Sequence, residues 1–565
     1  MRAIDAPSTR ALRGWQRRAL VGYLTAKPRD FLLVATPGSG KTTFALRIAA
    51  ELLAARSVET ITVVVPTEHL KNQWASAAAR DGIALDPKFR NTAAHTSADY
   101  DGIVVTYAQV ASHPARHRVR TEGRRTLVVF DEIHHGGDAR SWGEAIREAF
   151  GDATRRLALT GTPFRSDDAA IPFVRYEADG QLGPGVLRSQ ADHTYGYPDA
   201  LADGVVRPVV FLAYSGETRW RDNAGEEYAA RLGEPASAEH TARAWRTALD
   251  PSGEWMPAVI SAADTRLRQL RDGGMPDAGG MVIASDQKAA RAYAGLLIRI
   301  TGEAPTVVLS DDPGSSQRIA QFAADTSRWL VAVRMVSEGV DVPRLAVGVY
   351  ATSASTPLFF AQAIGRFVRS RRPGETASVF LPSVPSLLAL ASELEAQRDH
   401  VLGKPHRGGD DKPAPAQRQE NEPSATENGF TSLGADAELD QVIFDGASFG
   451  AATPAGSAEE ADYLGIPGLL DAEQMRNLLR RRQAEQLDRR SRAGCDEDAA
   501  PASQHRQLRD LRRELNALVS AAHHRTGKPH GWIHNELRRI CGGPPVAAAT
   551  SAQLRARIKA ARELG

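Results

Sequence analysis

A short apolar run, Phe31-Leu32-Leu33-Val34, leads directly into Ala35-Thr36-Pro37-Gly38-Ser39-Gly40-Lys41-Thr42-Thr43. Few local patterns constrain a chain more. An apolar strand, a glycine-rich turn and a helix in immediate succession point backbone N–H groups at one spot. The positive end of the helix adds to them, so the spot favours an anion. Lys41 is long enough to reach the β- and γ-phosphates of a nucleotide, and Thr42 carries a hydroxyl suited to Mg²⁺. Gly38, Ser39, Gly40 and Thr43 complete the cradle. The first position of the loop is Ala35, where the usual pattern has glycine.

The rhythm set by this strand continues. Thr60-Ile61-Thr62-Val63-Val64-Val65 is stopped by Pro66, and Gly102-Ile103-Val104-Val105, Leu127-Val128-Val129-Phe130 and Leu157-Ala158-Leu159 follow. Nearly continuous apolar runs of this length suit a parallel sheet buried on both faces. A second series begins at Gly280-Met281-Val282-Ile283-Ala284 and continues through residues 306–309, 329–333, 346–350 and 378–381. The pattern predicts two α/β domains, residues 1–205 and 276–400, joined by a mostly helical connector over 206–275.

Beyond residue 402 the composition changes. Residues 403–460 are rich in Pro, Gly, Ala and Ser and carry four bases against eleven acids, a net of −7. Such a segment predicts a disordered acidic linker. Residues 461–565 carry nineteen bases against twelve acids, a net of +7, and Leu508, Leu511, Leu515 and Leu518 mark an amphipathic helix. A small, basic, helical accessory domain is expected there, docking nucleic acid or a partner protein. On this division, a cut after about residue 400 leaves both α/β domains whole.

Other classes are excluded by composition. No run approaches the eighteen apolar residues of a membrane span, and the N-terminus lacks the apolar core of a secretory signal. Two cysteines, Cys495 and Cys541, cannot make a disulfide framework. A cytoplasmic protein with no membrane partner is expected. With a formal net charge of +2, any nucleic-acid surface must be local.

The fourth strand of the first series ends in Asp131-Glu132-Ile133-His134. A carboxylate just past an apolar strand is where a nucleotide-bound metal needs its second anchor, the role read for Asp131. Glu132 is then placed to orient and deprotonate the attacking water.

These residues resemble those of the superfamily 2 helicases. The likeness is to the DExH branch that includes type III restriction-enzyme motor subunits and excision-repair helicases, and it covers roughly residues 10–385. Leu12-Arg13-Gly14-Trp15-Gln16 resembles the upstream adenine-reading motif, with Gln16 as the reader. Val65-Pro66-Thr67-Glu68-His69-Leu70-Lys71-Asn72-Gln73-Trp74 and Val105-Thr106-Tyr107 resemble motifs Ia and Ib, and Ile283-Ala284-Ser285 resembles motif IV. Residues 333–343, with Gly339 and Asp341, resemble motif V. Gln362-Ala363-Ile364-Gly365-Arg366-Phe367-Val368-Arg369 resembles motif VI. The family's usual Arg after the Gln is Ala363 here. Leu159-Thr160-Gly161-Thr162-Pro163-Phe164-Arg165 resembles motif III, so His134, Thr160 and Thr162 are expected to couple nucleotide state to movement.

The resemblance implies tandem RecA-like domains, ATP and Mg²⁺ as ligands, and hydrolysis coupled to movement on nucleic acid, DNA rather than RNA. Lys41, Glu132, Gln362, Arg366 and Arg369 are its catalytic candidates, the two arginines placed three apart on one helical face. Gly339 and Asp341 join the nucleotide-binding set. Thr67, Thr106, Ser285 and Gly339 would hold the nucleic-acid backbone, which positions a strand without reading its bases. An RNA helicase, and a nucleic-acid-gated ATPase subunit of a restriction, defence or repair complex, are the competing readings. Pro276-Asp277 with Asp286-Gln287-Lys288 formally matches a nuclease pattern, but the match overlaps motif IV.

Overall fold

The computed structural model describes residues 11–92, 99–134, 140–161, 170–178, 187–222, 225–234, 236–309, 314–333, 342–392, 401–402, 430–450, 452–492, 504–526, 528, 530–546 and 549–563. The chain divides into two compact units, Met1–Ala200 with Gln397–Asp411, and Leu201–Ala396 with Lys412–Gly565.

In the first unit all five expected apolar runs are strands of one parallel sheet. Its order is Leu85–Asp86, Gly102–Thr106, Thr60–Val65, Thr126–Asp131, Arg155–Thr160, Asp30–Ala35 and His193–Tyr195. The central strands are buried along their length because helices cover both faces, so their side chains have no polar alternation to show. Val64, Ile103, Val105, Val128, Phe130, Ile146 and Phe150 share one core cluster. Asp30–Ala35 pairs with Arg155–Thr160, which in turn pairs with Thr126–Asp131. The C-terminal ends of these three neighbouring strands therefore bring residues 35–41, 131–134 and 160–161 together, although the chain separates them by up to 126 residues.

The second unit is also built on a sheet. Thr306–Val308, Trp329–Val333, Gly279–Ala284, Leu345–Ala351, Ala377–Pro382 and Val209–Ser215 run parallel in that order. The last of these lies within the expected connector. It is buried at all seven positions, so the stretch 206–275 is not a helical connector. It carries a core strand, two further strands, Glu217–Asp222 and Glu227–Arg231, and the helices Ala238–Ala248 and Trp255–Asp272.

The acidic stretch is also divided differently from the expectation. Residues 403–429 lie outside the described residues, but Glu438–Phe444 pairs antiparallel with Val209–Ser215, and Ala447–Phe449 extends the sheet. The acidic side chains there are partnered. Asp440 accepts from the Ser383 hydroxyl, and Asp445 pairs with Arg476. Net charge and small-residue content described the surface of this segment and hid Val442-Ile443-Phe444, which is buried.

The C-terminal residues are helical as expected: Ala458–Leu464, Ala472–Arg492, Gln504–Thr526, His530–Cys541 and Ser551–Glu563. The last three pack around Leu515, Val519, Ile533, Leu537, Leu554 and Ile558. The first two are held to the sheet. Arg266, 1 % exposed, donates to Ser378 Oγ (3.0 Å) and to the carbonyls of Leu464 (2.9 Å) and Ile466. Burial without a carboxylate partner lowers its pKa to about 9. Tyr214 donates to Glu460 at 2.5 Å, and the Thr376 N–H to the Gly468 carbonyl at 2.8 Å. Among the described residues no helix is long and apolar enough to cross a membrane.

Candidate nucleotide site

Gly38 and Gly40 take φ of +79° and +96°, the left-handed region that favours glycine. At Gly40 a Cβ would also stand 2.8 Å from Gln16 Nε2. The loop thus turns tightly enough for the helix Lys41–Ala54 to start at Lys41, with Thr42 and Thr43 in its first turn. N–H groups of a first turn have no acceptor within their own helix, so they are available to an anion. The Ser39 hydroxyl is buried with no hydrogen-bond partner among the described residues.

The upstream segment braces this loop. The Arg13 guanidinium donates to the Ser39 and Gly38 carbonyls (2.7 and 3.2 Å), and Trp15 Nε1 to the Ser39 carbonyl at 3.3 Å. Gln16, expected as the adenine reader, has its amide turned to the protein: Nε2 donates to the Gly40 carbonyl (3.0 Å) and Oε1 accepts from the Arg13 N–H (2.8 Å). An amide keeps one further donor and one further acceptor position after these bonds.

Lys41 does not extend into open space. Its ammonium donates to the Ala35 carbonyl at 3.2 Å and pairs with Glu132 Oε1 at 3.0 Å. Glu132 adopts φ +49°, unusual for a residue with a side chain. That turn sends the two neighbouring carboxylates to different partners. Asp131 Oδ2 accepts from Trp74 Nε1 at 2.7 Å, and the Tyr107 hydroxyl donates to the Asp131 carbonyl at 2.9 Å. Glu132 faces Lys41 on one side and the Gly161 N–H on the other, at 3.0 Å from Oε2. His134 Nδ1 lies 3.6 Å from the same oxygen and shares a 3.0 Å hydrogen bond with the Thr160 hydroxyl. Burial alone would raise the Glu132 carboxyl, but Lys41, His134 and the Gly161 N–H outweigh it and hold the pKa at about 2.

Lys41, Glu132, His134, Thr160 and Gly161 therefore form one connected polar chain across three strand ends. Gly161 has a packing reason to be glycine: a Cβ there would meet Lys41 Nζ at 3.0 Å and Pro37 Cγ at 3.3 Å. Among oxygens suited to a hard cation, the Thr42 hydroxyl and the Asp131 carboxylate are those of the expected pair. Trp74 and Tyr107, which orient Asp131, have no role in the sequence reading. Both stand in the runs quoted for motifs Ia and Ib, so the signal was an aromatic residue beside each motif.

A family model for the type III restriction enzyme res subunit matches residues 9–165, the span that supplies this polar chain. The chain is 74 % identical over 572 residues to the uncharacterized protein MT2985 of Mycobacterium tuberculosis (strain CDC 1551 / Oshkosh), covering 100 % of this chain and 94 % of that protein. It is 72 % identical to the uncharacterized protein ML1624 of Mycobacterium leprae (strain TN), covering 98 % and 94 %. Identity to the DNA 3'-5' translocase XPB2 of Sulfurisphaera tokodaii is 25 % over 385 residues, 64 % of this chain and 79 % of that one. Residues 9–165 thus carry a type III restriction-enzyme res-subunit domain, which relates the chain to the helicases.

The other positions of the resemblance are placed less closely. Thr162, Gly339 and Asp341 lie outside the described residues. Thr67 precedes the helix Glu68–Arg80, with its hydroxyl oxygen buried and unpartnered among the described residues. Thr106 is committed to the protein: its hydroxyl accepts from the Gln109 N–H at 3.1 Å and caps a helix, and it is 6 % exposed. Ser285 follows the strand Gly279–Ala284 and is half-buried. The nuclease-like carboxylates are structural. Asp286 caps the next helix through the Ala289 N–H, and Asp277 pairs with Arg371.

Motif VI requires a correction. Gln362 lies on the helix Pro357–Ile364, but that helix ends before Arg366. Gly365 through Phe367 form a tight turn, with the Arg366 N–H bonded to the Ala363 carbonyl and the Phe367 N–H to that of Ile364. Arg366 and Arg369 are thus on a loop and not on one helical face. Past the helix end Phe367 lies against Gly348, where an added Cβ would lie 2.6 Å from its ring.

What holds that loop is a residue the sequence reading passed over. Arg207 is fully buried; its Nε donates to the Phe367 carbonyl (2.7 Å), its backbone N–H to the Val368 carbonyl (2.8 Å), and its Nη1 pairs with Glu375 at 3.4 Å. Glu375, also fully buried, takes the Arg371 backbone N–H and guanidinium as well. Removing one member of a buried pair strands the other charge, which costs about 3–5 kcal/mol. Glu375→Ala is expected to lower the urea midpoint of the second unit accordingly, with Glu375→Gln milder. A midpoint unchanged in both variants would contradict this assignment.

Proposed function

We propose that this protein is an ATP-driven DNA motor, a translocase or helicase that needs Mg²⁺. The observation that carries the proposal is the Lys41–Glu132 pair with its onward bonds to Gly161, His134 and Thr160. In the resting arrangement Lys41 neutralises Glu132 and holds its pKa near 2, so the carboxylate is a poor base. A triphosphate offers Lys41 a stronger anion. As Lys41 moves to the β- and γ-phosphates, Glu132 loses its counter-ion and gains basicity. It then orients water in line with the γ-phosphorus and takes its proton as the bond to the bridging oxygen breaks. A Mg²⁺ ion held by Thr42 and Asp131 would supply charge neutralisation at the phosphates. Arg366 and Arg369 in this reading supply the positive charge that the transition state requires.

The bonds from Glu132 to Gly161 and from His134 to Thr160 tie the water-activating residue to the strand end that opens motif III. Loss of the Lys41 pair thereby changes the load on that strand end. This is how we read the coupling of nucleotide state to movement. DNA is favoured over RNA by the restriction-enzyme family model and by the DNA translocase among the relatives.

Glu132→Gln tests the division of labour. The amide keeps the shape but cannot accept the water proton, so the variant is expected to bind ATP and hydrolyse it at least about 100-fold more slowly. Loss of ATP binding instead would show that Glu132 serves the nucleotide. Strand displacement measured beside triplex displacement separates unwinding from translocation on duplex. Failure of both in a protein with DNA-stimulated ATPase activity would contradict the motor and favour a switch.

A further inference from the structure

The C-terminal helices carry a basic sequence, but the structure divides its charges into two sets. Arg557 is 1 % exposed and donates to the Gly542 carbonyl at 2.7 Å; Arg538 donates to the Gly543 carbonyl at 3.1 Å. These two hold the turn after Cys541. Arg539 is spent on Glu536 through two hydrogen bonds, 2.9 and 2.6 Å. Arg525 and Lys528 are different: both are exposed, and among the described residues no carboxylate pairs with either.

Both precede Trp532, which is 49 % exposed at the start of the helix His530–Cys541. Lys528 Nζ stands 5.0 Å from the centre of its ring. The arrangement is fixed from behind. His523 donates through Nδ1 to the Lys528 carbonyl at 2.6 Å, and its ring packs on His530 at 4.5 Å between centroids. Arg480 reaches His530 Nε2 at 3.0 Å. Burial, with Arg476 and Arg480 beside it, pushes the His530 pKa down to about 3. Asp445, the acid acting on His530, is paired with Arg476.

A single exposed apolar side chain needs no explanation. An indole held beside an exposed ammonium that no described carboxylate pairs is a more specific arrangement. It offers a flat surface on which any base can stack, next to charges that meet phosphates. A duplex keeps its bases stacked on one another and presents only its backbone. We propose that the Arg525–Lys528–Trp532 corner binds unpaired nucleotides, with one base stacked on Trp532 and the flanking phosphates met by Lys528 and Arg525. The ligand class rests on the motor reading above; the site itself lies outside the nucleotide-binding residues.

The test uses the full chain without nucleotide, titrated against a labelled oligothymidylate and a blunt duplex of the same length. Trp532→Ala is expected to weaken oligothymidylate binding roughly 5- to 100-fold, to leave duplex binding unchanged, and to be rescued largely by Trp532→Phe. Replacing both Arg525 and Lys528 with alanine should flatten the dependence of log affinity on log salt by about 1.4 for the single strand. Unchanged oligothymidylate affinity in Trp532→Ala would overturn the proposal, as would equal losses on single strand and duplex. Because no ATP is present, the two readings fail separately. Binding through Trp532 without any ATPase activity would sink the motor alone, whereas DNA-stimulated ATPase with an indifferent Trp532 would sink this site alone.

Discussion

Replacing Lys41 with alanine is expected to reduce ATP turnover roughly 100- to 1000-fold or to background, since it removes a charge placed where the transferring phosphoryl group is most negative. The second consequence is local. Glu132 loses the ion pair that holds it at 3.0 Å, and its pKa rises from about 2 towards the ordinary carboxylate range. The carboxylate keeps the Gly161 N–H and His134, and Lys41 contributes to no apolar core, so the fold is expected to survive. Circular dichroism and steady-state hydrolysis on the same preparation check both halves. Near-wild-type hydrolysis by a folded Lys41→Ala protein would refute the nucleotide site.

Ending the chain after residue 400 is expected to unfold the second unit, which reverses the expectation drawn from composition. The cut removes Glu438–Phe444, which is registered against Val209–Ser215 from Phe211 to Ser215. A strand buried at every position would become an open edge. It also removes both carbonyl acceptors of Arg266, leaving a guanidinium inside the protein with only a serine hydroxyl. A stranded charge of that kind costs about 3–5 kcal/mol by itself, a large part of the stability of an ordinary domain. A cut after residue 503 is different. It removes three helices with their own apolar core, together with the Asn516 hydrogen bond to the Ser448 carbonyl and the Arg480–His530 contact. That shorter protein is expected to remain folded and to keep its ATPase activity, while losing the Trp532 corner. Limited proteolysis and urea unfolding of the two truncations separate these outcomes. A stable, cooperative fold in the chain ending at 400 would show that the antiparallel strands are dispensable.

The contrast shows what sequence pattern carries. The strand-to-helix turn before Lys41 and the strand end at Asp131-Glu132 were legible because each couples an apolar strand to residues of fixed chemistry at its end. A parallel sheet then brings such strand ends together whatever the spacing between them. The pairing of Lys41 with Glu132 was not legible, since it needs strand order, and strand order depends on long-range packing. Val209–Ser215 was missed because it stands alone, ahead of a long polar stretch. Glu438–Phe444 was missed because its acids dominate the local count although the strand is buried. Arg366 and Arg369 were placed on a helix by their spacing of three. That spacing says nothing of where a helix stops, and here it stops at Ile364. The role of Arg207 was invisible for a related reason: an isolated arginine reads as surface until its carbonyl and carboxylate partners are known.

The central claim is that the Lys41–Glu132 site is an ATPase whose work is done on DNA. Steady-state ATP hydrolysis by the full chain, alone and with single-stranded DNA, duplex DNA, single-stranded RNA or duplex RNA, tests it most directly. Hydrolysis that requires Mg²⁺, rises on adding DNA and rises less with RNA is the predicted result. Turnover no greater than that of Lys41→Ala under all five conditions would contradict it.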